Sequence, residues 1–343
     1  MLKRDVIKKI VNSIGILKND VVLVQFWGED SDREILHDFS CEIAALGASP
    51  IEFQQSRIVN ANLFSNATED CFNKKFFNFF NNVDVIIDLF MYQPVVPSSD
   101  FPKDKLPLYR EYMSNLFNAF ADKRKFVQIR VPTEDNALES GIEKNLFLER
   151  MTNAYDIDYE ALKADCEERV NNLKGKSKVT IKTGLNHVLT LSLDDRNWCI
   201  DAGDGDLPCG EIFIAPVEEK TNGTVFFKEI FLESDNEPLH DTNVTIEIES
   251  GIIVNSSSQI VNDFIKGLPK NGNLICELGL GLNKNVTSLI GYNALDEKMY
   301  GTFHLGLGMN AIFGGKNTCV MHTDIVTTGE VMFEQKKWHA PRS

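Results

Sequence analysis

The sequence predicts an α/β N-terminal domain with a mostly parallel sheet, joined to an α+β C-terminal domain that carries a metal site. Three observations predict it. Residues 21–132 alternate apolar strand runs with helical stretches, the order of βαβ units. Beyond residue 175, short alternating strands follow one another instead, the pattern of an antiparallel sheet. The last seventy residues gather Glu277, Asp296, Glu297, His304, His322 and Asp324 among glycines. A chain of 343 residues exceeds what one core comfortably supports, so two domains, 1–175 and 176–343, are expected.

The elements follow in order. Val6, Ile10, Val11 and Ile14 recur at helical spacing across 5–17. VVLVQFW (21–27) is a buried-strand run, and 31–47 is a helix opening on Ser/Asp and closing at Gly47. A strand is expected over 50–56, a helix over 68–83 and a strand over 84–91. A Pro/Ser loop fills 92–107, then come a helix (108–123) and a fourth strand (125–132). None of these strands leads into a Gly-rich phosphate loop, so no nucleotide is expected. Residues 133–174 read as one or two charged helices that connect the domains. Strands at 177–184, 187–195, 211–216, 223–232 and 244–254 follow, then a helix over 256–268.

Charge narrows the function. The chain has 35 Lys+Arg against 50 Asp+Glu, a net charge of −15. Nucleic acid and anionic membranes both call for a basic face, so neither is an expected partner. The seven cysteines are scattered singly with no CxxC pair, which argues against a disulfide framework or a zinc knuckle. The N-terminus lacks a signal-peptide core, and no apolar run reaches membrane-spanning length. A cytoplasmic location is expected.

The chemistry concentrates near the C-terminus. In VMHTDIV (320–326), strand alternation puts Val320, His322, Asp324 and Val326 on one face. A buried histidine satisfied by its aspartate is the plain structural reading of such a pair. His304 in TFHLGLG and Glu277 in LICELGLG add two more strand-like segments with adjacent glycines, which leave room for a ligand. His304, His322 and Asp324 alone would make a two-histidine, one-carboxylate set for Fe(II) or Zn(II). The Gly-rich stretches lack the third glycine of a dinucleotide fingerprint. Cys276 and Cys319 are expected as buried small hydrophobes.

Four ordered stretches then resemble one family. They are LPCGEIFIAPVEEKTNGTV (207–225), CELGLGLN (276–283), LDEKMYGTFHLGLG (295–308) and GGKNTCVMHTD (314–324). They are similar to the motifs of the aminopeptidase T / aminopeptidase S family of dimetal exopeptidases. The resemblance implies metal ligands at Glu211, Glu277, His304, His322 and Asp324, with Glu211 supplied by the resemblance alone. It implies two divalent ions (Zn, Co or Mn), a peptide substrate with a free N-terminus, and a homodimer. Two ions about 3.5–4 Å apart would activate a water and polarise the scissile carbonyl. Glu277 is then the candidate bridging ligand or general base. Glu297 is a catalytic candidate to hold the α-ammonium or move a proton, or else part of a DEK salt-bridge cluster. The chain departs from the family at Ala311, where a tyrosine is usual; Tyr300 and Tyr292 are the nearest replacements. Two rival readings differ in metal: a mononuclear Fe(II) ring-cleaving dioxygenase of related architecture, whose group carries His where this chain has Glu277, and a metal-free binding protein.

Overall fold

The valine-rich run is an inner strand of a parallel sheet. The structure is a computed structural model, and it describes residues 2–234, 238–334 and 336–338. The chain divides into two units that are not contiguous in sequence. One comprises 1–139, 147–155 and 203–208; the other comprises 140–146, 156–202 and 209–343.

In the first unit, β1 (Val21–Trp27) lies between β2 (Ser49–Gln54) and β3 (Val85–Phe90). Then come β4 (Lys125–Arg130) and the short β8 (Asp206–Leu207), and every pairing is parallel. The order β2-β1-β3-β4-β8 is that of an open α/β sheet. Helices α1 (Arg4–Ser13), α2 (Arg33–Ala45), α3 (Arg57–Asn66) and α5 (Leu106–Phe120) accompany it. An aromatic-rich cluster of Phe64, Phe80, Tyr109, Tyr112 and Phe120 covers Leu23 and Ile86 on one sheet face.

Two expectations change here. The helix expected over 68–83 is a single turn, α4 (Lys74–Phe77), followed by a 3-10 turn to Asn82. The Asn73 side chain accepts from Lys75 N and starts the helix there, leaving 68–73 as turns. Helix α3, unanticipated, begins where Ser56 accepts from Val59 N. Its sequence RIVNANLFSN shows little apolar periodicity, so only the cap marks it.

The segment 133–174 holds three helices, one more than expected. They are α6 (Glu134–Glu139), α7 (Lys144–Tyr155) and α8 (Tyr159–Leu173). Gly141 at φ +65° breaks the first pair, and the Asp158 cap on Ala161 N starts the third.

The second unit contains two sheets. The larger joins β5 (Lys178–Thr183), β6 (His187–Ser192), β10 (Asn222–Leu232), β11 (Leu239–Glu249), β12 (Ile252–Ser256), β16 (Glu330–Phe333) and β17 (Lys336–Lys337). The strand expected over 244–254 is thus two strands. Ser250 and Gly251 turn the chain at positive φ, and a Cβ on Gly251 would meet Glu218 O at 1.7 Å. Helix α9 (Gln259–Gly267) follows.

The smaller sheet is antiparallel, in the order β15-β14-β13-β9-β7. Its strands are β7 (Cys199–Asp201), β9 (Glu211–Ile214), β13 (Ile275–Gly281), β14 (Phe303–Gly308) and β15 (His322–Thr327). A short helix, α10 (Asn293–Asp296), precedes β14. Val320 lies outside β15 and is 91% exposed, so the shared face is His322, Asp324 and Val326 only.

Candidate metal centre

All five strands of the smaller sheet contribute an acid or a histidine. Asp201 stands on β7, Glu211 on β9, Glu277 on β13, His304 on β14, and His322 with Asp324 on β15. The register explains the motifs. Glu211 faces Gly281, His304 faces Gly279, Glu277 and Asp324 flank Gly306, and His322 faces Gly308. Each working side chain therefore sits across from a glycine on the neighbouring strand. On the opposite face, Leu278, Leu280, Leu305 and Leu307 are buried in the core. Glu-x-Gly-x-Gly and His-x-Gly-x-Gly are this alternation written along β13 and β14.

Two of these glycines make room for the site's own side chains. A Cβ on Gly279 would lie 1.9 Å from His304 Nε2. One on Gly306 would lie 2.6 Å from Glu277 Cβ and 3.0 Å from His322 Cε1.

The five expected ligands come together. Two overlapping groups, Glu211–Glu277–His304 and Glu277–His322–Asp324, each have ligand atoms within 4.8 Å of one another. Glu277 belongs to both. Its Oε1 is 3.2 Å from His304 Nε2, and its Oε2 is 3.5 Å from His322 Nε2. His304 Nε2 is also 3.3 Å from Glu211 Oε2, and His322 Nε2 is 3.4 Å from Asp324 Oδ2.

Glu297 joins the group through Lys298, whose Nζ is 2.8 Å from Glu297 Oε1, 2.6 Å from Glu211 Oε1 and 3.0 Å from Asp201 Oδ2. Glu297, at the end of α10, is thus ion-paired with its DEK neighbour Lys298, and the pair is buried beside the other acids. Sequence reasoning missed Asp201 and the part played by Lys298. A lysine 2% exposed is the exception among lysines, and only the motif position hinted at it. Asp296 does not join the cluster: it accepts from Ile290 N and Gly291 N and anchors that turn.

The donor set fits a cation. A carbonyl can only accept, so the 2.8 Å contact of His322 Nδ1 with Met309 O places the hydrogen on Nδ1. In the neutral ring, Nε2 then presents a lone pair to two carboxylates, an arrangement that needs a proton or a metal between them. Glu211 Oε2 and Asp324 Oδ1 are buried and accept no hydrogen bond, and His304 Nδ1 has no partner.

Electrostatics say the same. Burial alone would lower the His304 pKa, but Glu211, Glu277 and Asp324 outweigh it and push it up to about 9. His322 is likewise raised, against its burial, chiefly by Asp324. Asp324 is held below the usual carboxylate range because His322 outweighs its desolvation. Burial raises Glu277 and, more strongly, Glu297, where Lys298 only partly compensates. These are carboxylates short of positive charge.

Three further expectations resolve. A bulge between Ile275 and Glu277 brings Cys276 Sγ to 3.6 Å from His322 Nδ1. Cys276 is buried as expected, but beside the site rather than behind it; burial, partly offset by His322, pushes its thiol up to about 12. Cys319 is partly exposed, because the chain before His322 is not a strand. Tyr300 lies beside Lys284, 5.6 Å from Nζ to its ring, and near Arg169. The aromatic groups next to His322 are instead Phe313, at 5.9 Å between ring centroids, and Phe213 beyond it at 5.5 Å.

The fold has relatives among solved structures. Wild-type AmpT from Thermus thermophilus is 14% identical, with a TM-score of 0.66 over 98% of each chain. The 2,5-dihydroxypyridine dioxygenase of Pseudomonas putida KT2440 is 13% identical, with a TM-score of 0.64 over 97% of this chain and 94% of that one. At these identities both show the fold alone. A comparison with curated proteins gives no match. Residues 125–331, which span every strand of the smaller sheet, match the family described as thermophilic metalloprotease (M29), and the chain belongs to that family.

Proposed function

We propose that this chain is an aminopeptidase that uses two divalent metal ions to hydrolyse the N-terminal residue from a peptide. The observation that carries the reading is the divided carboxylate of Glu277. Its two oxygens face different histidine–carboxylate groups, as a bridging ligand's would. Glu211 and His304 would complete one site, and His322 and Asp324 the other. Ions held there would lower the pKa of a water and polarise the scissile carbonyl.

The chain's own residues supply the rest. Met309 O fixes the His322 ring so that Nε2 faces the site. Lys298 ties Asp201, Glu211 and Glu297 together and orients them. Glu297, whose raised pKa suits it to carry a proton, hydrogen-bonds Asp324 at the edge of the group, where a leaving amine could collect that proton. Phe313 and Phe213 form an aromatic wall beside His322 suited to an apolar substrate side chain. The surplus of carboxylates favours a substrate with a free α-ammonium.

The likeness to a dioxygenase supports a second reading, one Fe(II) on His304, His322 and Asp324. That reading leaves Glu277 as a buried carboxylate between two imidazole nitrogens with no cation of its own, and Glu211 with Lys298 alone, which favours two metals. Metal analysis with an aminoacyl-p-nitroanilide assay decides. Two Zn, Co or Mn per chain with hydrolysis is expected. One iron with oxygen uptake would establish the second reading, and hydrolysis by the metal-stripped chain would refute the metal role.

A further inference from the structure

The first unit holds a cavity of about 340 Å3, distant in sequence from the metal centre. Its floor is a polar row across three adjacent parallel strands. Gln25 on β1 pairs in register with Asp88 on β3, and Asp88 with Gln128 on β4. Side chains two residues apart share a sheet face, so this row lies between the apolar Leu23–Ile86–Phe126 row and the Trp27–Phe90 row. Met113, Leu116, Phe117 and Phe120 of α5 form the roof. Phe117 and Val95, 58% and 47% exposed, stand at the mouth.

Two buried acceptor atoms of the lining residues have no hydrogen-bond partner, Gln25 Oε1 and Asp88 Oδ1, while the Trp27 indole N–H is directed at the Asp88 carboxyl. Their residues are only 3–4% exposed. An apolar core would not retain two such groups, each costing about 1–3 kcal/mol unsatisfied, without a use for them. The position is also telling. In open α/β sheets, ligands bind near the carboxyl ends of the strands where the strand order reverses, which here is between β1 and β3. Gln25 and Asp88 straddle that point.

We propose that this cavity binds a small organic cation, an amine or amidine with an apolar body, received by the Asp88 carboxylate. The lining names the chemistry. Both unpaired atoms are acceptors, so the ligand must bring donors. No Lys, Arg or His lines the cavity among the described residues, so a phosphate or carboxylate would meet the Asp88 carboxyl with no cation in the lining. The Trp27 ring in the lining can interact with a cation, while Phe90, 6.4 Å from it between centroids, already carries the Arg130 guanidinium over its ring. The nearest basic residue, Arg130 in register with Phe90, is 3.8 Å from Asp206. Burial pushes the Asp88 pKa up to about 8, partly offset by Gln128 and Trp27, so cation binding at neutral pH displaces a proton.

Benzamidine, with neutral benzamide and anionic benzoate as comparisons, tests this on the full chain at pH 7. Calorimetry should show benzamidine binding at least about tenfold tighter than benzamide, with no binding of benzoate. Binding should release protons, quench Trp27 fluorescence and survive His322→Ala, which disables the other carboxylate cluster. Asp88→Asn should remove the preference for benzamidine. Equal affinity for benzamidine and benzamide, loss of binding in His322→Ala, or full binding in Asp88→Asn would overturn the proposal. Should Asp88→Asn fail to fold, magnetisation transfer from Met113 and Phe117 to bound benzamidine in the unmodified chain decides, and its absence overturns the proposal equally.

Discussion

Lys298 Nζ lies 2.6 Å from Glu211 Oε1, with both side chains buried in a sheet otherwise crowded with acids. Removing one partner of a buried ion pair leaves the other uncompensated. Lys298→Met is therefore expected to cost about 3–5 kcal/mol of stability, read from urea unfolding. It should also weaken metal binding, because Asp201, Glu211 and Glu297 lose their common anchor. Unchanged stability would mean that Lys298 does not bridge these acids.

Gly279→Ala places a methyl group where His304 Nε2 now sits. The imidazole must turn away, so metal affinity should fall by roughly 10–100-fold, as when a ligand's support is lost. Circular dichroism should show the fold retained. Dialysis against a metal buffer measures the affinity, and an unaltered value would show that His304 is not a ligand.

His322→Ala should lose metal and peptidase activity together, since it removes the shared neighbour of Glu277 and Asp324. Activity surviving in that variant would place the reaction elsewhere. Phe313→Ala, by contrast, should leave metal content intact and raise KM for substrates with an apolar first residue more than it lowers kcat, because only the wall beside His322 is lost.

Asp88 gives a pH prediction with a definite sign. Its pKa rises from an ordinary 3.8 to about 8 on folding, so the native state binds the extra proton. Its favourable share is complete below about pH 4 and disappears as pH climbs through 8, at a cost on the order of several kcal/mol. Asp88→Asn should flatten the stability profile between these limits and stabilise the alkaline side. Urea titrations at pH 5, 7 and 9 measure it; parallel profiles would show that Asp88 ionises freely.

Much of this was legible in the residues, and the gaps have physical causes. Strand runs such as VVLVQFW and the His-x-Asp pair follow from period-two alternation and are where the structure puts them. Glu211 carries no local signal, because one acid in EIFI looks like a strand end until β13 pairs with it. Lys298 and Asp201 meet only through tertiary packing. The Cys276 bulge breaks the alternation that placed its side chain on the far face. Asp88 did leave a trace, as the one acid within the apolar VIIDLF, but only the register with Gln25 and Gln128 makes it a row.

The pairing of each acid or imidazole with a glycine across the strand makes the site a gauge of correct assembly. Slip β14 by one residue against β13, and its leucines would turn toward the acids while His304 entered the oily layer. Such a chain would retain most of its strand content yet show no turnover. Specific activity per chain at saturating metal should therefore count the molecules whose strands have found their proper partners, a sharper measure of refolding yield than any optical signal from the backbone.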